Sequence, residues 1–453
     1  MLLPNDSRLN IVSGIDLTGS VETVIEQLKT KVEDIMLVDI VFFCAYIQAS
    51  DYTSLRKINT DLLRTAIQAT SAVAPNLEVV ILQTGGKGYG LEFQDKIRVQ
   101  PPLHEDLPRI PEPWRSKIFY YDQYDLLMEL SKGSKWTFSE IRPDGIVGFA
   151  PSSNAMNMAH GIAFYLTLYR EVHGVEASVP FPGTRQGYYS THSDTFQDIL
   201  SQLEIYVALH REKCVNGSSF NAADGQTVSW AQVWPGLCAY FGLVGCEPQN
   251  GSQTSMEDFV NAHMDQWKRL AEVHGLKSDT VENQNWGHTH FMLVDFDFNR
   301  EYSLEKARSI GFTKTIDTVE GYTIVFDRMV TAKLIPAFPR EPVWDVPNTS
   351  RLKNLHGAKV INEDRDADVT LISCGSNLHH VVAAAPASYD RIQEYQKAIL
   401  HLMGIGVRSF ADHASPGQKE GSMFGSGRNL GPRIDLRAAA ASHERLVRHH
   451  IRG

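Results

Sequence analysis

A doubly wound, Rossmann-like α/β sheet is expected for most of this chain, because two hydrophobic periods alternate along its first third. Short runs that are apolar on both faces, residues 38–47 and 77–83, are separated by segments whose apolar side chains recur every three or four residues. Strands buried on both faces belong to parallel sheets covered by helices on either side. Size agrees: 453 residues, 43% apolar and 21% charged, supply a core for such a sheet and exclude a miniprotein or a disordered tail.

The elements follow in order. Residues 9–12 read as a short strand, and Ser20 offers an N-cap to a helix striped by Val21, Val24, Ile25, Leu28 and Val32. The buried strand 38–47 comes next. Leu55, Ile58, Leu62, Leu63 and Ile67 form the stripe of a second helix, Pro75 closes the connection, and LEVVILQ (77–83) is another buried strand. A loop carrying Pro101, Pro102, Pro108, Pro111 and Pro113 leads to a helix near 116–131 and a strand near 136–142. From 151 to 336 helices dominate, at 156–172, 194–211, 257–273 and 319–334, and Ser229 with Gln232 makes a capping box for one that contains Trp234. FNAA (220–223) returns the chain to the sheet, so this region is interleaved with the first. The expected organisation is therefore a parallel-sheet region over 1–150, a mostly helical region over 151–336 interleaved with it, and an appended tail over 337–453.

Charge marks the last boundary. The whole chain carries −10, but residues 337–453 hold 15 basic and 12 acidic side chains, a net of +3, against 28 and 41, a net of −13, before them. An acidic body gives no electrostatic case for nucleic acid or an anionic membrane. The five cysteines, Cys44, Cys214, Cys238, Cys246 and Cys374, form no CxxC pair, so neither a disulfide framework nor a zinc ribbon is indicated. With no apolar leader at the start and no run near ~20 apolar residues, the expected location is cytoplasmic. The sequons at Asn216 and Asn250 carry little meaning there.

In such sheets ligands bind beyond the carboxyl ends of the strands, which directs attention to the segments after Ile47, Gln83 and Arg142. TGGKGYG (84–90) follows the strand at 77–83 directly. It lacks the GxxxxGK[ST] and GxGxxG spacings; its glycines are expected to turn the backbone with positive φ and present Lys87 at the sheet mouth. Taken alone the run is better read as a glycine-rich turn with a solvated lysine. The next helix carries FYYDQYD (119–125), whose tyrosines 120, 121 and 124 fit packing positions equally well. A tyrosine near Lys87 could donate a proton to a developing enolate or alkoxide, its pKa lowered by the ammonium.

These segments, with FFCAYIQ (42–48), LQTGGKGY (82–89), RPDGIVGFAP (142–151), FNAADG (220–225), WPGLCAYFG (234–242) and the run 306–336, resemble the progesterone 5β-reductase and iridoid synthase-like (PRISE-like) branch of the short-chain dehydrogenases/reductases, fungal type. The likeness covers residues 9–336 and implies a truncated Rossmann dinucleotide-binding region over 1–150 and a substrate-binding region over 151–336, interleaved with the sheet. It implies hydride transfer from NADPH (NADP) to an activated C=C or carbonyl of a small molecule, with Lys87 of the TGxK segment and Tyr121, the second of the tyrosine pair, as catalytic residues. Asp125 stands where the wider superfamily has the lysine of YxxxK, as this branch does. Tyr124 stands where plant members often have an acidic residue, so plant substrate preferences are not carried over. Cofactor contacts carried over are Asp16 and Leu17 (adenine), Ala45, Lys87, Tyr121 and Gly148, the last opening a loop that runs to Asn154 beside the nicotinamide. The expected partner is a small-molecule substrate, with a homodimer compatible, and neither nucleic acid nor membrane.

The resemblance also implies a strand, a GxxGxxG turn, a helix and a second strand ahead of Leu9, and the sequence holds none of them there. Two expectations follow: a longer natural chain, or a truncated non-catalytic remnant with impaired cofactor binding. In a 3-2-1-4-5-6 strand order the absent strands are central, so the strand at Leu9 is expected to stand apart from that near Val41, leaving open edges. In the tail, residues 359–385 resemble the start of a transketolase C-terminal domain, an acidic turn, a strand at 369–373 and a helix opened by Gly375 and Ser376, though an appended fragment fits as well. The basic, His-rich end reads as a solvated helix face. His288 and His290 would share one face of a strand, with Asp295 and Asp297 nearby, the spacing of a metal site; substrate-pocket lining is the favoured reading and no metal is expected.

Overall fold

A computed structural model describes residues 9–150, 156–249, 254–277 and 279–338, and the backbone alone of 369–374 and 379–384. Its first half alternates strand and helix as expected: β1 (Leu9–Ser13), α1 (Val21–Lys31), β2 (Ile40–Phe43), α2 (Tyr52–Val73), β3 (Val79–Gln83), α3 (Phe119–Leu130) and β4 (Thr137–Pro143). Ser20 caps α1 by accepting from the Thr23 N–H at 3.2 Å. The run 38–47 yields only four residues of strand.

Further on come α4 (Met158–His173), α5 (Gln197–Leu209), β5 (Ser218–Ala222), α6 (Trp230–Tyr240), α7 (Met256–Ala262), α8 (Met264–His274), α9 (Trp286–His290) and α10 (Thr318–Thr331). Three expectations are adjusted. The helix drawn at 257–273 is two, broken at His263, and residues 194–196 start as a strand before α5. His288 and His290 lie on a helix, where residues two apart face different ways. The capping box stands: the Ser229 N–H donates to Gln232 Oε1 at 2.9 Å.

β2, β3, β4 and β5 run parallel, with Phe42 opposite Ile81, Ile81 opposite Ser139 and Ile141 opposite Phe220. Alternation sends neighbouring side chains to different cores. Ile40, Phe42, Val79 and Ile81 pack with α4 and α5 side chains such as Phe164 and Leu203. Val41, Phe43, Val80 and Leu82 pack with Leu62, Leu63 and Leu126 of α2 and α3. Two faces in two cores is what makes these strands apolar throughout.

The tail departs most from expectation. Residues 369–374 are a strand, but no helix begins in the part described after it: Val369–Cys374 (β6) and His379–Ala384 (β7) are two strands of the main sheet, whose order is β1-β6-β7-β2-β3-β4-β5. β6 is parallel to β1, with Ile11 opposite Leu371. β7 is antiparallel to both β6 and β2, with Val382 opposite Leu371 and Phe42. The gap expected between β1 and β2 is thus closed by the chain's own tail, because unpaired backbone groups on two facing strand edges are satisfied by any hairpin of the right width. The basic end at 443–452 lies outside the described residues.

Candidate active site

Three strands end together at the carboxyl edge of the sheet. Beyond β3 runs the glycine-rich segment, and its backbone differs from expectation: of Gly85, Gly86, Gly88 and Gly90 only Gly90 is left-handed, with φ +78°. Gly86 is needed for space, since a Cβ there would lie 2.5 Å from the Tyr302 hydroxyl and 2.6 Å from Leu91 Cδ1. Residues 86–89 close into a 3₁₀ turn that carries Lys87.

A buried polar network holds this turn to β4 and β5. Glu140, 4% exposed, accepts from Thr84 Oγ1 at 2.8 Å and Ser219 Oγ at 2.7 Å and pairs with Arg142 at 2.8 Å. Arg142 donates to the Tyr89 hydroxyl and the Glu105 carbonyl, both at 3.2 Å. The Tyr89 hydroxyl in turn donates to Asn221 Oδ1 at 2.7 Å. Every member reaches a partner, as a buried network requires.

The two tyrosines of α3 point to different places. The Tyr121 hydroxyl donates to the Gly88 carbonyl at 2.6 Å and accepts the Ile110 N–H at 3.2 Å, so it ties the Pro-rich loop to the glycine turn. The side chain turned toward the strand ends is Tyr120: a Cβ on Gly85 would sit 3.6 Å from its hydroxyl and 3.5 Å from the Pro143 carbonyl. Adjacent residues on a helix diverge by about 100°, so only one of the pair can face the sheet edge.

Lys87 is not a free ammonium. Its Nζ lies 2.6 Å from Glu92 Oε1, with both side chains largely buried. Burial raises the pKa of Tyr46 and of Tyr120, and the Glu92 charge opposes ionisation of each. Tyr52 is pushed up to about 12 by the same two causes. His288 is lowered to about 4 by burial and then by the Lys87 charge, so it stays neutral at physiological pH. The expectation that an ammonium lowers a tyrosine pKa is therefore reversed: the hydroxyl beside this pair is a neutral hydrogen-bond donor. Glu92, Tyr46, Tyr120 and His288 were missed as a group because they come from four separate segments.

The remaining sequence-derived positions lie along the same edge. Asp16 is exposed after β1, its Oδ1 accepting from the Thr18 N–H at 3.0 Å and Thr18 Oγ1 at 2.6 Å, while Leu17 is buried. Ala45 is buried just past β2. Gly148 leaves room for Gln197, whose Oε1 would meet a Cβ there at 2.8 Å. Asn157 Nδ2 donates to the Gly148 carbonyl at 2.9 Å and so fixes the start of the loop beside the site; residues 151–154 lie outside the described ones. Among the described residues no group of three or more His, Cys, Asp or Glu could hold a metal, and no helix is long and apolar enough to cross a membrane.

A parallel doubly wound sheet with a lysine and a tyrosine set at its carboxyl edge is the architecture of a short-chain dehydrogenase/reductase, an oxidoreductase. Residues 2–336 match the PRISE-like Rossmann-fold domain, and the chain belongs to that family. A short chain dehydrogenase of Aspergillus calidoustus (ausT) is 35% identical over 342 residues, 74% of this chain and 83% of that one. The (S)-8-oxocitronellyl enol synthase ISY1 of Nepeta racemosa is 28% identical, over 65% of this chain and 74% of its own. Among solved structures, GDP-mannoheptose C4 reductase from Campylobacter jejuni with NADP bound aligns with a TM-score of 0.44 at 12% identity, covering 69% of this chain and 85% of that one.

The family implies a nicotinamide dinucleotide, and the residues fit it unevenly. The resemblance assigns Asp16 and Leu17 to the adenine, Gly148 to the nicotinamide, and Ala45, Lys87 and Tyr121 to the cofactor. The pyrophosphate of such a ligand sits at a helix N-terminus that follows the first central strand. In this chain β7 stands in that central place, antiparallel to β2, so the strand end it brings to the carboxyl edge is its amino end. Among the described residues that middle part of the cradle is not built.

Proposed function

We propose that the protein is an NADPH-dependent reductase of an activated C=C (enone or enal) or carbonyl in a small molecule. The observation that carries the reading is the convergence of the Thr84–Lys87 turn, Tyr120 and the Pro143–Gly148 segment at the carboxyl ends of β3 and β4. NADPH, when bound, supplies the hydride. Tyr120, held neutral by burial, donates a hydrogen bond to the substrate oxygen as negative charge develops on it. Lys87, its charge offset by Glu92, donates to a ribose hydroxyl of the cofactor in this reading, and the Glu140–Arg142 network keeps the turn in position. Assigning the tyrosine role to Tyr120 in place of Tyr121 is supported by its hydroxyl lying beside Gly85 and by the use of the Tyr121 hydroxyl between Gly88 and Ile110.

The test is NADPH oxidation followed by absorbance over a panel of enals, enones and aldehydes. Turnover of at least one, lost in Tyr120→Phe, is expected; no oxidation of any would refute the reading. A second reading is favoured by one observation, the antiparallel strand in the pyrophosphate position: a non-catalytic binding protein. It requires that NADPH produce no fluorescence change on titration, and micromolar binding would exclude it.

A further inference from the structure

The Lys87–Glu92 pair sits on the turn beyond β3, close enough for its charges to act on Tyr46, Tyr52, Tyr120 and His288. The Glu92 side chain is 9% exposed. One carboxylate oxygen faces Lys87 and the other, Oε2, is buried with no hydrogen-bond partner among the described residues. A buried carboxylate oxygen without a donor from the protein is costly, and a hydrogen-bond donor brought by a ligand would satisfy it. The nearby hydroxyl of Tyr46 is already given to Gln48 Oε1, and His288 is neutral, so neither supplies a second charge.

Two consequences follow for what can bind. A lone buried lysine would attract carboxylate- or phosphate-bearing substrates, but Glu92 offsets its charge and keeps a second, undonated carboxylate oxygen beside it. We infer that Glu92 sets the substrate class, admitting uncharged carbonyl compounds that carry a second hydrogen-bond donor such as a hydroxyl and rejecting those that carry a carboxylate. This rests on the reductase reading for its meaning in turnover, but not for its binding test.

Three matched enals serve as probes: 6-hydroxyhex-2-enal, hex-2-enal and 6-oxohex-4-enoate. With NADPH, kcat/KM is expected to fall in that order, the hydroxyl worth about tenfold or more, as for a hydrogen bond to a charged acceptor. Glu92→Leu removes the preference of hydroxyl over plain enal. Glu92→Gln, which keeps size and one acceptor, keeps part of that preference and reduces the discrimination against carboxylate by about tenfold or more. Calorimetric binding of 6-hydroxyhexan-2-one, hexan-2-one and 5-oxohexanoate without NADPH gives the same ranking independently of catalysis. Absent turnover with the ranking intact sinks the reductase reading alone. A wild-type preference for carboxylate, or ratios unmoved in both variants, overturns the role of Glu92.

Discussion

Replacing each tyrosine of the α3 pair by phenylalanine separates the two roles that geometry gives them. In Tyr121→Phe the ring stays, with the Arg109 guanidinium 4.8 Å from its centroid, but the buried Ile110 N–H loses its acceptor and the Gly88 carbonyl its donor. An unsatisfied buried amide costs about 1–3 kcal/mol, so stability should drop by about 2 kcal/mol while kcat changes by less than about tenfold, the turn being loosened and not removed. Tyr120→Phe has no hydrogen bond to lose among the described residues and should hold stability to within about 1 kcal/mol. Its kcat should fall about 10²- to 10⁴-fold, the range for a positioned proton or hydrogen-bond donor. Urea unfolding followed by circular dichroism and steady-state NADPH oxidation read the two quantities on the same preparations. The reverse pattern, a stable but inactive Tyr121→Phe beside an active Tyr120→Phe, would refute the reasoning and restore the assignment drawn from resemblance.

Arg142→Met should destabilise by about 3–5 kcal/mol, because it leaves Glu140 as an unpaired buried charge. Adding Glu140→Gln should recover part of that loss in denaturant unfolding, and strict additivity would exclude the pair as the source. The Asp194 carboxyl is raised to about 7, first by burial and then by Asp144, with Arg300 opposing. A raised folded pKa means stability fully present below the unfolded value of 3.8 and lost as pH rises through about 7. Relative to Asp194→Asn the wild type should therefore lose up to about 4 kcal/mol between pH 4 and pH 7; parallel stability profiles would contradict this. Leu371→Pro interrupts β6 between two paired neighbours. Faster amide exchange at Val12 and Val41 is the expected result, and unchanged protection would mean that the tail does not hold the sheet together.

The alternation of strand and helix was legible because β2 and β3 bury both faces, which leaves no polar alternation to confuse the period. Ser20, the Ser229–Gln232 box and the return of FNAA to the sheet were equally readable, each resting on contacts within a few residues or on an uninterrupted apolar run. The site was only half legible. Lys87 is marked by glycines whose job is visible in sequence, but Glu92, five positions on, becomes a partner only because two 3₁₀ turns fold the chain back. Which tyrosine faces the substrate is a matter of about 100° of helix phase, and the phase is fixed by the Ile110 and Gly88 backbone groups that capture Tyr121. Sheet completion was beyond local reading altogether. Ile11, Leu371, Val382 and Phe42 stand abreast although 31 and 360 residues of chain, counted along the sequence, separate Ile11 from Phe42 and from Leu371. Nothing in the 369–384 segment names its partners; the partners are named by the two edges it closes. The same closure that removes an aggregation-prone gap sets an antiparallel strand, β7, where a pyrophosphate cradle would begin.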